Sequence, residues 1–404
     1  MKPYPYQEKG VEWLLAGRRR YLADEAGLGK TVQVAFALDD LRPTRPCLVA
    51  CPASVRGHWQ RTLELLAPYE EVHVVSYAGL TKRGYDGSAY AVVILDEAHY
   101  VKSPSAKRTK VALQYAAAAD RAWLLSATPT PNHPGELYTA GRMLWPEWCR
   151  KVKVRSYDGW LKRFTKYWEL QKGRVRRKVP YAPRNTATLQ RLWTDISLRR
   201  TAEEVGLELP PLRVDVQYLD PKRVTFPDEI HEVEFTSTER RLLGSAKVDE
   251  IVRVILEEAA QNPKARYVVF AHHLDVIDAL EEKLDTLHPL VVTGAASRAD
   301  RDAAIAAFTN DARHRVFIGQ QQAAGTGINL QVASEVILVE PSWVPAENYQ
   351  AIKRIHRIGA QKPCRARIFP IPGTLDDDVM VALARTTRMN GIQEDTDADD
   401  SQDD

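Results

Sequence analysis

LADEAGLGKTVQVAFALDDL, residues 22–41, has the pattern of a strand end, a glycine-containing loop and a helix. Its Gly29-Lys30-Thr31 matches the end of the phosphate-binding pattern GxxxxGKT, but Asp24 stands where that pattern has its first glycine. Backbone amides at a helix N-terminus favour phosphate. Lys30 is therefore expected to reach the β- and γ-phosphates of a nucleotide, and Thr31 to bind Mg²⁺. A plain glycine turn is the alternative for this stretch taken alone.

Short apolar runs alternate with helical patterns on both sides of a different central region. This alternation is typical of βαβ units and predicts an α/β fold with parallel sheets. A chain of 404 residues exceeds what one hydrophobic core usually supports, so two such units are expected. The predicted strands are 47–51, 72–76, 91–95 and 122–125 in the first unit, and 267–273, 289–293, 315–319, 335–340 and 366–369 in the second.

Two carboxylates follow the predicted strand in VVILDEAHYVKS. Asp96 is suited to hold Mg²⁺, and Glu97 is suited to orient or deprotonate a water molecule. An acidic turn after a buried strand is the alternative, and the GKT sequence upstream argues against it. Ser126 and Thr128 also follow a predicted strand, so their hydroxyls are expected at the same edge of the sheet, where they could sense the phosphate state.

Two cations stand close together in YQAIKRIHRIGAQ. Arg354 and Arg357 are three residues apart, so on a helix they would share one face and repel each other unless an anion lies opposite. This spacing suggests arginine fingers that act on a γ-phosphate. A solvated basic helix is the alternative.

The region between the two α/β patterns is basic and aromatic. Residues 150–178 contain twelve Lys or Arg and two acids, so this segment could follow a phosphate backbone. Five of the nine tryptophans lie nearby, and they could stack on bases or pack small helices between the units. Residues 207–215, LELPPLRVD, are predicted to form a turn and an inter-domain linker.

The chain carries a formal net charge of +3, with seven acids and no base after residue 390. Without those seven charges the remainder would carry +10. The acidic tail is expected to be disordered and could mimic DNA. The four cysteines show no zinc-type or disulfide pattern, which suggests a reducing, intracellular compartment. No apolar run approaches the length of a membrane span, so no membrane association is expected.

These motifs, in this order, resemble superfamily-two helicases, and within them the SWI/SNF-type DNA translocases. The resemblance runs from Tyr4 to about Phe369 and includes YPYQEKGVEWL, DEAGLGKT, the DEAH box with Lys102, and LRRTAEEVGLELPPL. In this family an acidic pair commonly replaces the first glycine of the phosphate loop. FAHH and ELYTA are similar to the branch that remodels or anneals replication forks.

The resemblance implies two tandem RecA-like lobes that clamp ATP and Mg²⁺ between them, with a small helical insertion between the lobes. It assigns roles to residues of this chain. Gln7 would read the base. Gly27 and Gly29 would line the phosphate loop, and His99, Ser126 and Thr128 would couple the ATP and nucleic-acid sites. Residues expected to line the cleft from the second lobe are Gly325, Gly327, Asn329, Gln350, Arg354 and Arg357.

The resulting prediction is a DNA-stimulated ATPase that translocates on duplex or branched DNA and remodels or reanneals it. It would act on DNA in preference to RNA and function as a monomer. Two alternatives remain: a strand-separating helicase on DNA or RNA, and a nucleic-acid-binding protein without a motor cycle. The predicted location is a bacterial cytoplasm or a virus-infected host cell. The predicted domains are 1–145, 146–235, 236–388 and an acidic tail, 389–404.

Overall fold

The computed structural model describes residues 2–68, 71–129, 133–151, 154, 156–172, 175–226, 237–321, 328–357, 359–381 and 383. Two compact units meet in the sequence between Glu208 and Leu209, and each is considered separately below. The domain limits drawn from the sequence stay predictions. The acidic tail lies outside the described residues.

The first unit alternates strands and helices from its first residues. In chain order its elements are α1 (Pro5–Leu15), β1 (Arg19–Leu22), α2 (Lys30–Leu41), β2 (Cys47–Cys51), α3 (Arg56–Leu66), β3 (Val72–Ser76), α4 (Tyr77–Arg83), β4 (Val92–Asp96), α5 (Lys107–Ala118), β5 (Arg121–Leu125), α6 (Leu137–Leu144), α7 (Pro146–Lys151), α8 (Tyr157–Phe164), β6 (Thr165–Lys172), β7 (Val175–Pro183), α9 (Thr186–Ile196) and β8 (Ser197–Leu198).

The sheet of the first unit is parallel throughout, with strand order β3-β2-β4-β5-β1-β8 among the described residues. Every residue of β2 is buried, as expected for a strand covered by helices on both faces. Helices α1, α2 and α3 pack on one face, around Trp59 and Trp123. Helices α4, α5 and α6 pack on the other, around Tyr115. The parallel α/β fold predicted for this half is confirmed.

The segment after α6 contains the predicted small helices and also a β-hairpin that the sequence did not reveal. Strands β6 and β7 pair antiparallel with each other. They belong to neither large sheet, so the long buried apolar runs of a central strand are missing from them. Trp160 is buried and donates a hydrogen bond from Nε1 to the Pro134 carbonyl at 3.0 Å. For Trp160, the packing interpretation is therefore confirmed over base stacking.

The second unit repeats the alternation with different residues. In chain order its elements are β9 (Leu212–Val216), α10 (Ser237–Gln261), β10 (Tyr267–Ala271), α11 (Leu274–Lys283), β11 (Leu290–Val292), α12 (Arg298–Asn310), β12 (Val316–Gln320), β13 (Glu335–Leu338), α13 (Pro345–Ile352) and β14 (Cys364–Ile368).

The second sheet is also parallel, in the order β11-β12-β10-β13-β14-β9. Two separate apolar clusters cover its faces, one including Ile251 and Ile277 and the other including Phe308 and Phe317. Two tandem parallel-sheet units with flanking helices confirm the predicted fold class.

One local prediction in this unit is incomplete. Residues 207–215 were predicted to form a turn and an inter-domain linker, and the boundary between the two units lies within them, at Glu208 and Leu209. The sequence did not show that β9 begins at Leu212 and adds to the edge of the sheet beside β14. Its Val214 and Val216 are exposed, so the strand lacks the buried apolar run that marks the inner strands. Hydrogen bonding to β14, distant in sequence, holds it in place.

Among the described residues, no helix combines the length and apolar character needed to span a bilayer.

Candidate nucleotide site

The phosphate-loop segment between β1 and α2 requires two glycines. Gly27 and Gly29 have φ angles of 96° and 71°, in the left-handed region that side chains disfavour. Gly29 caps the N-terminus of α2, and a Cβ there would lie 2.6 Å from Nε2 of Gln7. The loop therefore needs glycine at 29 both for its backbone angle and for its contact with Gln7.

Gln7 lies on α1 with its side chain buried against the same loop. Its Nε2 donates to the Leu28 carbonyl at 3.4 Å, and its Oε1 accepts from the Tyr4 amide at 3.0 Å. The sequence placed Gln7 near a nucleotide base. The structure places its carboxamide on the loop that precedes Lys30.

Lys30 is the first residue of α2, and its ammonium group turns back onto the loop. Nζ donates to the carbonyl oxygens of Asp24 at 2.6 Å and Glu25 at 3.2 Å. A positive charge is therefore held inside the loop at the N-terminal end of a helix, where the helix dipole also favours anions. Thr31 follows, half-buried.

Asp24, which replaces the usual first glycine, is fully buried. Its Oδ2 accepts a hydrogen bond from Nε2 of Gln33 at 3.0 Å and forms a salt bridge with Arg200. The side chain is thus engaged inside the first unit. The sequence offered no role for Arg200, which lies 176 residues further along the chain.

Asp96 ends β4 and is tightly held by its neighbours. Trp59 Nε1 donates to Oδ2 at 2.7 Å, the Glu97 amide donates to Oδ1 at 3.0 Å, and the Tyr77 hydroxyl donates to the Asp96 carbonyl at 2.7 Å. Burial, and secondarily the charge of Glu97, raise the pKa of Asp96 to about 6. The Trp59 hydrogen bond and the charge of Lys30 act in the opposite direction.

Glu97, His99, Ser126 and Thr128 form one hydrogen-bonded cluster. His99 Nδ1 lies 3.2 Å from Ser126 Oγ and 3.3 Å from Glu97 Oε2. Ser126 Oγ also donates to Glu97 Oε2 at 3.4 Å and accepts from the Thr128 amide at 3.1 Å. Glu97 has a left-handed backbone, with φ of 49°. Of the three residues proposed for coupling, His99 and Ser126 contact the proposed water-activating carboxylate directly, and Thr128 is linked to it through Ser126.

A neighbouring ion pair was missed from the sequence. Lys102 Nζ lies 2.6 Å from Oε1 of the buried Glu136, joining the segment after the DEAH box to the segment before α6. Burial lowers the pKa of His133 nearby, while the charge of Glu136 opposes this. A basic residue shortly after the DEAH box was visible in the sequence. Its partner 34 residues away was not.

In the second unit, the prediction that Arg354 and Arg357 lie on a helix is wrong. Helix α13 ends at Ile352, so Arg354 and Arg357 lie in the turns that follow it. Arg354 sits against the chain at Ile328, whose carbonyl lies 3.5 Å from Nη1. Burial lowers the pKa of Arg357, with no acidic group contributing. After the helix, Lys353 Nζ lies 3.1 Å from His356 Nδ1.

The other second-unit predictions are only partly visible. Gln350 is buried on α13, while Asn329 is exposed and accepts a hydrogen bond from the Gln331 amide at 3.3 Å. Gly325 and Gly327 lie outside the described residues.

The donor set of the first unit fits Mg²⁺ bound together with a nucleotide. Asp96 and Thr31 offer oxygen atoms, the ligand type that Mg²⁺ prefers, and phosphates and water usually complete its shell. No group of three or more His, Cys, Asp or Glu side chains that could hold a metal occurs among the described residues.

Tandem parallel α/β units with a glycine loop and a DEAH sequence define the class of helicase-type motor cores. The SNF2-related domain family matches residues 6–86 and 70–264, and the helicase conserved C-terminal domain matches residues 246–359. The chain belongs to the SNF2-related family. The resemblance drawn from the sequence is confirmed.

Curated relatives extend across nearly the whole chain. The bovine (Bos taurus) DNA annealing helicase and endonuclease ZRANB3 is 27% identical over 96% of this chain and 40% of its own length. A second relative is the Caenorhabditis elegans homolog of the SWI/SNF-related matrix-associated actin-dependent regulator of chromatin subfamily A-like protein 1. It is 27% identical over 93% of this chain and 59% of its own length. The chain thus spans about half the length of these relatives.

A solved structure, the Sulfolobus solfataricus SWI2/SNF2 ATPase core in complex with dsDNA, aligns with a TM-score of 0.46 at 22% identity. The alignment covers 98% of this chain and 95% of the Sulfolobus solfataricus chain.

The predicted location in a bacterial cytoplasm or virus-infected host cell is wrong. The curated relatives include cattle, mouse and nematode proteins, named for DNA annealing and for chromatin. The small size of the chain suggested a bacterial or viral source, but a motor core has similar dimensions wherever it occurs.

Proposed function

We propose that this chain hydrolyses ATP to move along duplex or branched DNA and to remodel or reanneal it. One observation supports the proposal that the chain hydrolyses ATP. Lys30 is held in a glycine loop at a helix N-terminus, near enough to the half-buried Asp96 for its charge to lower the pKa of that carboxyl. A phosphate-binding cation beside a metal-binding carboxylate is the arrangement that phosphoryl transfer needs.

The residues of the first unit divide the chemistry among them. Lys30 and the amides of the loop bind the β- and γ-phosphates, while Thr31 and Asp96 hold Mg²⁺, which supplies charge neutralisation when bound. Glu97 Oε2 accepts from Ser126 and lies beside His99, so its carboxylate is fixed in direction. A fixed carboxylate can orient a water molecule and accept its proton. Gln7 supports the loop through its hydrogen bond to the Leu28 carbonyl, and we propose that it also contacts the base.

The second unit supplies positive charge. Arg357 is half-buried and has no acidic partner among the described residues, so an anionic ligand would relieve its unfavourable burial. We assign Arg357, with Arg354 and Gln350, to the transferring phosphoryl group. An arginine in that role typically accelerates the reaction about 10³–10⁵-fold.

The His99–Ser126–Thr128 cluster is proposed to report the phosphate state. Its hydrogen bonds run from the water-activating Glu97 to the backbone after β5. The Thr128 hydroxyl has no hydrogen-bond partner in the part of the chain described. A change at Glu97 on hydrolysis would therefore alter the segment after β5 through one shared hydroxyl.

Two observations support DNA as the binding partner: the positive charge of one segment of the chain, and the names of the curated relatives. Residues 150–178 carry twelve bases against two acids, and they include β6 and the beginning of β7. Clustered Lys and Arg follow a phosphate backbone independently of sequence. The relatives are named for annealing DNA and for chromatin, which favours duplex or branched DNA over RNA.

The deciding experiment is ATP turnover measured with single-stranded DNA, duplex DNA, forked DNA and RNA. We expect the greatest stimulation by duplex or fork, and annealing of complementary strands without displacement on a tailed duplex. Displacement of a strand would favour a strand-separating helicase. No turnover with any nucleic acid would favour a binding protein without a motor cycle.

Two variants test the assignment of residues. Lys30→Ala and Arg357→Ala are each expected to slow turnover by about 10³-fold or more while DNA binding is retained. Lys82→Ala and Arg61→Ala, at exposed helical positions, are the matched controls. Near-normal turnover in Arg357→Ala would remove the arginine-finger assignment, and near-normal turnover in Lys30→Ala would remove the phosphate-loop assignment.

A further inference from the structure

Asp24 and Arg200 form a buried ion pair at the base of the phosphate loop. Arg200 Nε donates to Oδ1 of Asp24 at 3.0 Å, and Nη2 donates to Oδ2 at 2.5 Å. Asp24 is fully buried, so this two-bond contact supplies the counter-charge that its carboxylate needs.

The same guanidinium group also contacts two helices of the first unit, α1 and α2. Nη1 donates to the Tyr6 carbonyl on α1, and Nη2 donates to Oε1 of Gln33 on α2 at 3.0 Å. The guanidinium carbon lies 5.6 Å from the centre of the Tyr6 ring. Arg200 thus contacts the helix that carries Gln7, the phosphate loop, and the helix that begins at Lys30.

The backbone around Arg200 runs along the loop and bonds to it. The Ala23 amide donates to the Leu198 carbonyl at 2.7 Å, and the Glu25 amide donates to the Arg200 carbonyl at 2.9 Å. The Ala202 amide donates to Glu25 Oε2 at 2.7 Å. The pairing of β1 with β8 therefore continues past the ends of both strands and into the phosphate loop.

These contacts lead to the phosphate-binding cation in two steps. Arg200 fixes the Asp24 side chain and the Glu25 amide. The carbonyl oxygens of Asp24 and Glu25 then accept the two hydrogen bonds that hold Nζ of Lys30. Loss of the Arg200 charge would leave a buried carboxylate unpaired, and the loop would have to move to bring that carboxylate to water.

We infer that Arg200 is a positioning residue for nucleotide binding: through Asp24 it sets the shape of the phosphate loop and the place of the Lys30 ammonium group. The inference rests on the proposed ATPase function. Arg200 stands eight residues before Glu208, the last residue of the first unit. The segment of the first unit that precedes the second unit is therefore hydrogen-bonded directly to the phosphate loop.

The test compares Arg200→Gln with Arg200→Lys, Asp24→Asn and the double variant Asp24→Asn/Arg200→Gln. Arg199→Gln, at the exposed neighbouring position, is the control. For each full-length protein, the Kd of a fluorescent ADP, the KM and kcat of DNA-stimulated ATP turnover, and the Tm are measured. The double variant removes both charges, so it contains no unpaired buried ion.

We expect Arg200→Gln to raise the Kd for ADP and the KM for ATP about tenfold or more. We expect kcat at saturating ATP to stay within about threefold, because Asp96 and Glu97 are untouched. Arg200→Lys should recover part of the affinity. The double variant should regain most of the Tm but not the affinity, which separates loop positioning from folding stability.

Two results would overturn the inference alone. One is wild-type affinity for ADP in both Arg200→Gln and the double variant. The other is a lower kcat and Tm with unchanged KM, which would indicate a purely structural ion pair. If the wild-type chain itself binds no nucleotide, the proposed function fails and this inference fails with it.

Discussion

At the scale of single residues, the surroundings of Asp96 disfavour the ionised carboxylate that its proposed function requires. Its carboxylate is half-buried beside Glu97, and both the loss of solvent and the neighbouring charge disfavour the ionised form, which raises its pKa to about 6. The same carboxylate must be ionised to bind Mg²⁺. The metal would therefore relieve an unfavourable charge that the unliganded protein carries above about pH 6.

Protons and Mg²⁺ should compete at Asp96. Because its pKa lies near 6 rather than at the ordinary value of 3.8, we expect the Mg²⁺ needed for half-maximal ATP turnover to rise below pH 6. The rise should approach about tenfold per pH unit, since one proton is displaced by one metal. Turnover titrated with Mg²⁺ at several pH values between 5 and 8 measures this.

Added Mg²⁺ should restore the rate lost on mild acidification, and far-ultraviolet circular dichroism at each pH should confirm that the protein stays folded. A requirement for Mg²⁺ that is flat from pH 5 to 8 would contradict the assignment of Asp96 as a metal ligand with a raised pKa.

At the scale of elements, arginines at the start of strands bind the ends of helices. In a parallel α/β unit, helix C-termini lie at the amino edge of the sheet, where their last carbonyls lack partners. Arg121, the first residue of β5, donates to the carbonyls of Leu15 and Gly17 at 3.0 Å, just where α1 ends. Arg315, directly before β12, does the same for α10 through Ala259 and neighbouring carbonyls.

Removing one such arginine should destabilise the unit that contains it. Arg121→Met loses two hydrogen bonds from a cation to helix-terminal carbonyls. We therefore expect the free energy of unfolding to fall by about 1–3 kcal/mol. Denaturant unfolding of the purified protein measures this change.

Arg61→Met is the matched control, because Arg61 is exposed in the middle of α3 and does not lie at the end of a helix. Equal stability of Arg121→Met and Arg61→Met would show that the contact with the end of α1 contributes nothing measurable.

At the scale of the whole molecule, each unit has its own apolar clusters and its own sheet. The second unit also contains a buried ion pair, Lys247 Nζ to Asp376 Oδ2 at 2.6 Å, which ties α10 to the segment after β14. Asp376 also accepts from the Ile371 amide at 2.9 Å. Such a pair is local to one unit and can report on that unit alone.

Lys247→Met leaves the buried Asp376 without its cation. We expect this change to destabilise the second unit by about 3–5 kcal/mol. In calorimetry, one transition should move to lower temperature while another, belonging to the first unit, stays in place. A single transition that shifts as a whole would mean that the two units unfold cooperatively.

The acidic tail gives a prediction about DNA affinity. Residues 394–404 hold seven acids, and without them the chain would carry a formal charge of +10 instead of +3. We expect deletion of 394–404 to tighten DNA binding and to steepen its dependence on salt, because repulsion of the phosphate backbone is removed.

Binding to duplex DNA from 50 to 300 mM salt measures both effects. A tail of the same length with Asn and Gln in place of its acids separates charge from length. Unchanged affinity and salt slope in both proteins would exclude a role for the tail charge.

Much of the first unit followed from the sequence for a local reason. The strand at 47–51 is a continuous apolar run that is buried throughout, and buried parallel strands require such runs. Asp96 is the last residue of β4, and Ser126 directly follows the neighbouring strand β5. Parallel strands end at one edge of the sheet, so the sequence alone predicts that the residues at these two strand ends lie close together.

Other features depended on partners far along the chain. Strand β9 is half-exposed and forms only beside β14, about 150 residues later. The β6–β7 hairpin pairs only with itself, so it lacks the apolar signature of a core strand. The helix expected at Arg354 and Arg357 ends at Ile352, after which Lys353 and His356 contact each other.

The sequence by itself determined the class of fold, the order of its motifs and the glycines that the phosphate loop needs, because these depend on local periodicity and backbone angles. Only the tertiary structure decided what Asp24 does. Its pairing with Arg200 spans 176 residues, and no local pattern encodes a contact of that length. A position that resembles a missing glycine is in fact a buried charge, stable only because the fold brings its counter-charge to it.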